Sequence, residues 1–342
     1  MKIAFTHNLQ TDDSPEQAEF DSAATVSAIT QTLENLGHRV EPIEVSGPIG
    51  RTISALERVC PDLVFNTAEG TSGRFREALF PAIFDQLGLP FTGSDAYVCT
   101  VTSDKNLTKL IAKSHGVLTP DSILAFSPAD LDQCELQLPV MVKPNFEGSS
   151  MGISQESVVD SWEGLRNVVE RALQQFPTGV LIEEFIHGRD IAVPFLEAAS
   201  PESGGVLCPV DYVIQWPEGE HRKYKIYDFE LKHWNSDAVD PRVPADLSPP
   251  LGDLIGKLSR TIFRCLGIRD VGRIDFRLSD AGEPFFLEAN ALPSLEPGAG
   301  IYAAAALAGL STIEEVLEAI IRSALLRQPC RKAASAPLAV AI

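Results

Sequence analysis

Two apolar runs near the end of the chain, Val271-Gly272-Arg273-Ile274-Asp275-Phe276-Arg277-Leu278 and Pro284-Phe285-Phe286-Leu287-Glu288-Ala289-Asn290, constrain its fold most strongly. Each has the length and apolar content of a β-strand. Side chains alternate between the faces of a strand, so Arg273 shares a face with Asp275, and Glu288 with Asn290. Solvated polar edges do not explain acids embedded in runs this apolar. Asp, Glu and Asn are hard oxygen donors, and three of them converging beside an arginine suit Mg²⁺ bridging nucleotide phosphates.

Upstream, the first hundred residues alternate strand-like and helix-like patterns: Lys2 to Thr6, a helical stretch from Ala18 to Leu36, then strands at Val40 to Val45 and Asp62 to Asn66. This is the rhythm of an open parallel α/β sheet. A helix beginning near Ser103 carries Leu107, Leu110 and Ile111 on one face, and Gly116 and Pro120 end it. A domain boundary is placed there, near residue 100. A small α+β unit follows over residues 101–184, with strands around a Gly-rich turn, a helix from Trp162 to Gln174 and an apolar strand from Gly179 to Ile182. Residues 185–328 form a third unit: β-rich runs, a polar stretch from Pro217 to Pro249, a helix from Leu251 to Leu266, the two acid-bearing strands, and two closing helices. Residues 329–342 read as a frayed Ala/Pro-rich tail.

With 342 residues, 44% of them hydrophobic, the chain can bury a substantial core. A formal net charge of −19 argues against nucleic acid or an anionic membrane as partner, so any phosphate must bind in a local positive site. No run of about 18 apolar residues occurs, and Met1 to Thr6 lacks the features of a signal peptide, which points to the cytoplasm. The six cysteines are scattered without a CxxC pair, the pattern of reduced thiols.

Three further segments bear on the chemistry. Val140-Met141-Val142-Lys143-Pro144 ends an apolar strand on a lysine and runs into Asn145-Phe146-Glu147-Gly148-Ser149-Ser150-Met151-Gly152. The amides and hydroxyls of such a loop can cover phosphates while the lysine supplies a point charge. Asp104-Lys105 heads the preceding helix. The apolar strand Leu181-Ile182-Glu183-Glu184 runs through Phe185-Ile186-His187-Gly188-Arg189 to Asp190, and such a hinge can bind an adenine edge through its backbone and ribose hydroxyls through a carboxylate.

In this order, from Asp62 to Leu310, these motifs resemble the D-alanine–D-alanine ligase branch of the ATP-grasp superfamily. The resemblance implies an ATP-grasp fold behind an N-terminal open parallel α/β domain. It also implies an enzyme that uses ATP and Mg²⁺, with Mn²⁺ as an alternative, to activate a carboxylate as an acyl phosphate and join it to an amine. Both substrates would be small molecules, and the family resemblance suggests a homodimer. On matching positions, Lys105 and Lys143 contact ATP phosphates, Glu183 with the backbone of Phe185 and Ile186 holds adenine, and Asp190 binds ribose. Asp275, Glu288 and Asn290 become Mg²⁺ ligands. Arg273 stabilises the transferring phosphoryl group, Ser149 belongs to the covering loop as a catalytic residue, and Lys232 sits on a mobile loop that closes over the γ-phosphate and second substrate.

The substrate side departs from the family. Its N-terminal His-Gly-Gly/Ser-Glu type segment is replaced by Thr6-His7-Asn8-Leu9-Gln10-Thr11-Asp12-Asp13, leaving Glu16 or Glu19 as substitutes for its glutamate. A His-Gly pair is replaced by Glu69-Gly70, followed by Arg74 and Arg76. The tyrosine beside the loop lysine is His233, a glycine is Ser294, and a substrate-binding serine aligns with Ala299. The expectation is an amino-acid or peptide ligase with rewritten substrate pockets, with an authentic D-alanine–D-alanine ligase and an ATP-grasp phosphotransferase as alternatives.

Overall fold

The structure, a computed structural model, describes residues 1–199, 202–215 and 222–327; the expected tail lies outside them. In the N-terminal unit, β1 (Lys2–His7), α1 (Ala23–Asn35), β2 (Arg39–Glu44), α2 (Ile49–Val59), β3 (Leu63–Asn66) and α3 (Arg76–Gln86) follow in turn. The parallel sheet has the order β2-β1-β3. All four residues of β3 are buried, which explains the apolar run Leu63-Val64-Phe65 before Asn66: strands covered on both faces need no alternation. Helix α1 starts later than Ala18, because the Ser22 hydroxyl accepts the Thr25 amide and caps it there, with a 3₁₀ turn at Pro15–Gln17 before it.

Two short helices, α4 (Ala96–Ser103) and α5 (Lys105–Ser114), replace the one helix expected near Ser103. The break is Asp104, whose carboxylate accepts the Leu107 amide and caps α5. Residue 100 lies within α4. Helix α5 reverses its expected face: Lys105, Thr108, Lys109 and Ala112 point inward, while Leu107 and Leu110 are 38% and 56% exposed. Its inward lysines meet the carboxylates of Glu288, half-buried, and Glu183, buried, and those ion pairs overrule the hydrophobic pattern.

The central unit contributes β4 (Ser122–Ala125), β5 (Val140–Pro144), β6 (Val158–Val159), α6 (Trp162–Gln175) and β7 (Val180–Glu184). Its antiparallel sheet, ordered β4-β7-β5-β6, is backed by Leu165 and Val169 of α6. The C-terminal unit contributes β8 (Gly188–Leu196), β9 (Val210–Ile214), α7 (Phe229–His233), β10 (Val239–Arg242), α8 (Pro249–Leu266), β11 (Val271–Ser279), β12 (Pro284–Asn290), α9 (Gly300–Leu307) and α10 (Ile313–Arg327).

Its sheet runs β10-β9-β8-β11-β12, antiparallel throughout. Ile255, Ile262 and Phe263 of α8 pack on one face with Phe276 and Phe286. On the other side, Leu317 and Ile320 of α10 share a cluster with Ile3, Phe5 and Leu33, which docks the N-terminal unit to this sheet. Strand β12 carries a β-bulge: Asp275 pairs with Glu288 but Phe276 pairs with Phe286, so Leu287 is extra. Among the described residues no helix is long and apolar enough to cross a membrane, and the five described cysteines are free.

Candidate active site

Two adjoining cavities lie between the central and C-terminal sheets and the loops and helices of the N-terminal unit. The first, about 320 Å³, is walled by Lys143 and Glu183 of the central sheet and by Arg273, Asp275, Arg277 and Glu288 of the C-terminal sheet. The second, about 310 Å³, is walled by Glu19, Asp21, Glu69 and Glu77 of the N-terminal unit. Ser149, Lys232, Arg273 and Glu288 line both, so the cavities meet at these side chains.

The acid face forms as strand alternation requires. In register, Arg273 stands opposite Asn290 and Asp275 opposite Glu288. Arg273 donates from Nε and Nη2 to the two Asp275 oxygens, each at 2.8 Å. Asn290 Nδ2 donates to Asp275 Oδ2 at 3.2 Å. Glu288 Oε2 lies 3.3 Å from Lys105 Nζ. Burial alone would raise the Glu288 pKa, but Lys105, Lys143 and Arg273 outweigh it and hold the carboxyl at about 2. No group of three or more His, Cys, Asp or Glu among the described residues makes a preformed metal cage. Two carboxylates and one amide oxygen nevertheless fit a cation that keeps water and phosphate oxygens among its ligands, as Mg²⁺ does.

Around the first cavity, Lys143 is 4% exposed and its Nζ sits 2.6 Å from Glu183 Oε1. Glu183 Oε2 sits 2.7 Å from the Nζ of Lys109, a residue that sequence reasoning passed over. Both Glu183 oxygens are thus occupied by ammonium groups, so its carboxylate holds lysines instead of standing free for an adenine. Burial works against the charged Glu183, and the two lysines together outweigh it and lower its pKa. At the hinge, the Phe185 amide donates to Pro139 O at 2.9 Å, which leaves that residue only its carbonyl to offer. Arg277 ties the hinge down, donating to Ile186 O at 3.0 Å and to Asp190 Oδ1 at 2.8 Å.

The covering loop is pinned at its start and latched at its tip. Asn145 Nδ2 donates to Asp104 Oδ1 at 2.8 Å and Asn145 Oδ1 accepts the Asn106 amide at 2.9 Å, joining the loop to the head of α5. Ser149 and Ser150 take φ of 46° and 57°, the left-handed region that L-residues enter at a cost. His233 Nε2 donates to Ser149 O at 3.1 Å and Ser150 Oγ donates to Tyr227 O at 3.0 Å, fastening the loop to the segment that carries Lys232. The Lys232 ammonium has no hydrogen bond or ion pair among the described residues. Burial, with Arg273 adding repulsion, lowers its pKa.

The second cavity is acidic. Glu19 Oε2 accepts from Arg76 Nη2 at 2.7 Å and Nε at 3.1 Å, and Arg76 Nη1 donates to Phe146 O at 2.7 Å. Glu19 also lies against the loop: a Cβ on Gly148 would stand 2.0 Å from its Oε1, so a larger residue there would displace the Glu19 carboxylate. Glu16 is exposed and lines neither cavity, which separates the two candidate glutamates. Burial pushes Asp21 up to about 6 and, with Glu19, Glu77 up to about 7. Glu69 is likewise pushed well above the usual carboxylate range, through burial and the repulsion of Glu19 and Glu77. Ser294 lines both cavities and Ala299 the first.

A family described as D-ala D-ala ligase C-terminus matches residues 128–322, more than half of the chain. The chain belongs to the D-alanine–D-alanine ligase family. The D-alanine–D-alanine ligase of Aquifex aeolicus is 32% identical over 275 residues, 80% of this chain and 86% of that enzyme. An uncharacterized protein of Sinorhizobium fredii is 31% identical over 293 residues, 83% of this chain and 82% of its own length. Among solved structures, the D-alanine–D-alanine ligase of Bacillus anthracis superposes with a TM-score of 0.75 at 21% identity, covering 95% of this chain and 98% of that one, which establishes the shared ATP-grasp fold. Membership in the D-alanine–D-alanine ligase family makes the protein an ATP-dependent ligase that forms a carbon–nitrogen bond.

Proposed function

We propose that this member of the family activates an amino-acid-like carboxylate as an acyl phosphate and couples it to an amine, in substrate pockets changed from those that accept two D-alanines. The observation that carries the reading is the meeting of the two cavities at Ser149, Lys232, Arg273 and Glu288. ATP, placed in the first cavity, presents its γ-phosphate at this junction, and the carboxylate and amine approach from the second.

On this reading Lys105 and Lys143 neutralise phosphate oxygens, the backbone at Phe185 and Ile186 meets the adenine edge, and Asp190 takes the ribose. Asp275, Glu288 and the Asn290 carbonyl would hold Mg²⁺, which would supply positive charge to offset that of the phosphates. The substrate carboxylate oxygen attacks the γ-phosphorus and ADP departs. The amine nitrogen then attacks the acyl carbon, loses a proton and expels phosphate. Charge develops on phosphoryl oxygens in the first step and on the carbonyl oxygen in the second. Arg273, locked by its two bonds to Asp275, and Lys232, without an ion pair among the described residues, stand ready to meet it. No covalent attachment to the enzyme is needed.

The acids of the second cavity support substrates that carry ammonium groups. Arg76 already occupies Glu19, and Glu69 stands where the family has a histidine, which supports altered pockets. A homodimer, as in the resemblance, is part of the same proposal and is read by light scattering. The test is product mass after incubation with ATP, Mg²⁺ and either D-alanine or a panel of L-amino acids. Coupled product outside the D-alanine wells is expected. Efficient D-alanyl-D-alanine formation as the sole product assigns the parent activity instead, and phosphorylated substrate accumulating without an amine assigns a phosphotransferase.

A further inference from the structure

We infer that Lys109 is a positioning residue that sets both the place and the net charge of the Lys143 ammonium in the first cavity. This rests on the nucleotide reading of that cavity. Lys109 follows Lys105 by four residues on α5, so both side chains leave the same helix face. Lys105 reaches Glu288, and Lys109, 2% exposed, reaches Glu183. Lys109 lines neither cavity, whereas Glu183 and Lys143 line the first. Its effect on a ligand there passes through Glu183.

Charge counting gives Lys109 its role. Glu183 and Lys143 alone make a neutral pair, and a lysine cancelled by its own carboxylate attracts phosphate weakly. Adding Lys109 leaves the three groups with 2 − 1 = +1. Glu183 Oε2 lies 2.7 Å from Lys109 Nζ, a buried ion pair that holds the two side chains together. The same ammonium donates to Phe286 O at 3.4 Å, which ties α5 to β12 two residues before Glu288. A pair kept only for stability would be served as well by apolar side chains of similar volume. Three charges buried at the wall of a cavity instead leave one positive charge facing it.

The test compares wild type, Lys109→Met and Lys109→Met/Glu183→Gln by calorimetry with ATP plus Mg²⁺ and with adenosine, after thermal melts establish folding. In Lys109→Met, ATP affinity is expected to fall about tenfold, some 1.4 kcal/mol, while adenosine affinity stays within about twofold. A packing defect would weaken both ligands alike. The double variant restores +1 through Lys143 alone and is expected to regain ATP affinity to within about threefold of wild type. Lys109→Met leaves Glu183 short of a partner, so that variant is the one at risk of not folding; the double variant then carries the test. Unchanged ATP binding in folded Lys109→Met overturns the inference. So does equal loss of adenosine, or a double variant that fails to fold or binds ATP about tenfold more weakly than wild type. Wild-type protein that binds no ATP sinks the nucleotide reading itself, a separate outcome.

Discussion

Glu288→Gln removes one charge from the acid face and almost nothing else, so its consequences can be worked out in advance. The Glu288 carboxyl is held at about 2 against an ordinary 4.5. At 1.36 kcal/mol per unit, the cations around the ionised form favour it by about 3 kcal/mol. Because the folded pKa lies below the unfolded one, this stabilisation is present above pH 4.5 and fades as pH falls toward 2. The variant is therefore expected to lose up to about 3 kcal/mol of stability at neutral pH in denaturant melts, a deficit that narrows below pH 4.5. The larger effect is on turnover, because a neutral amide cannot balance a divalent cation. ATP-dependent phosphate release against a panel of amino acids is expected to drop by about 10²-fold or more, a loss of the size seen when one electrostatic group is removed from a reaction centre. Turnover within tenfold of wild type, with an unchanged Mg²⁺ requirement, would refute the assignment.

Two further expectations follow from the second cavity and its latch. Asp21 and Glu77 have folded pKa values raised to about 6 and about 7, so their contribution to stability is present at low pH and lost as pH rises through those values. The melting midpoint of the unliganded protein should fall between about pH 4 and 7 more steeply than that of Asp21→Asn/Glu77→Gln, and parallel profiles would show that these acids titrate normally. His233→Ala removes the donor to Ser149 O. It should raise the KM for ATP by up to about tenfold, the worth of one hydrogen bond, with the melting midpoint unmoved; an unchanged KM would dissociate the latch from nucleotide binding.

How far the sequence could be read depended on which physical rule governed each residue. The acid face was legible because strand alternation is strict, and Asp275 and Glu288 duly stand opposite one another. Helix α5 was misread because its pattern of leucines points the other way from its buried lysines. Periodicity counts apolar residues and cannot weigh a lysine that will find a carboxylate from a strand some 75 positions downstream. The four-residue spacing of Lys105 and Lys109 was the one available signal. Glu19 and Glu16 could not be told apart, since the 3₁₀ turn and the Ser22 cap decide which side chain enters the cavity. Glu183 was found as a residue but not in its role, which its two lysine partners define.

The extra residue in β12 has a practical corollary for anyone transplanting this metal-binding face. Upstream of Leu287 the strand runs in one phase, with Phe286 fully buried against Phe276; downstream it runs in the opposite phase, with Glu288 and Asn290 turned to the cavities. The strand behaves as two spliced half-strands, and the splice is what lets core aromatics and ligating acids occupy one short sequence. Pairing Leu287 as an ordinary ladder residue, without the bulge, would put Glu288 and Asn290 on the face of Phe286 and bury the acids. Chimeras with other ligases should therefore be joined outside Phe286–Glu288, so that the phase reversal travels with the acids it serves.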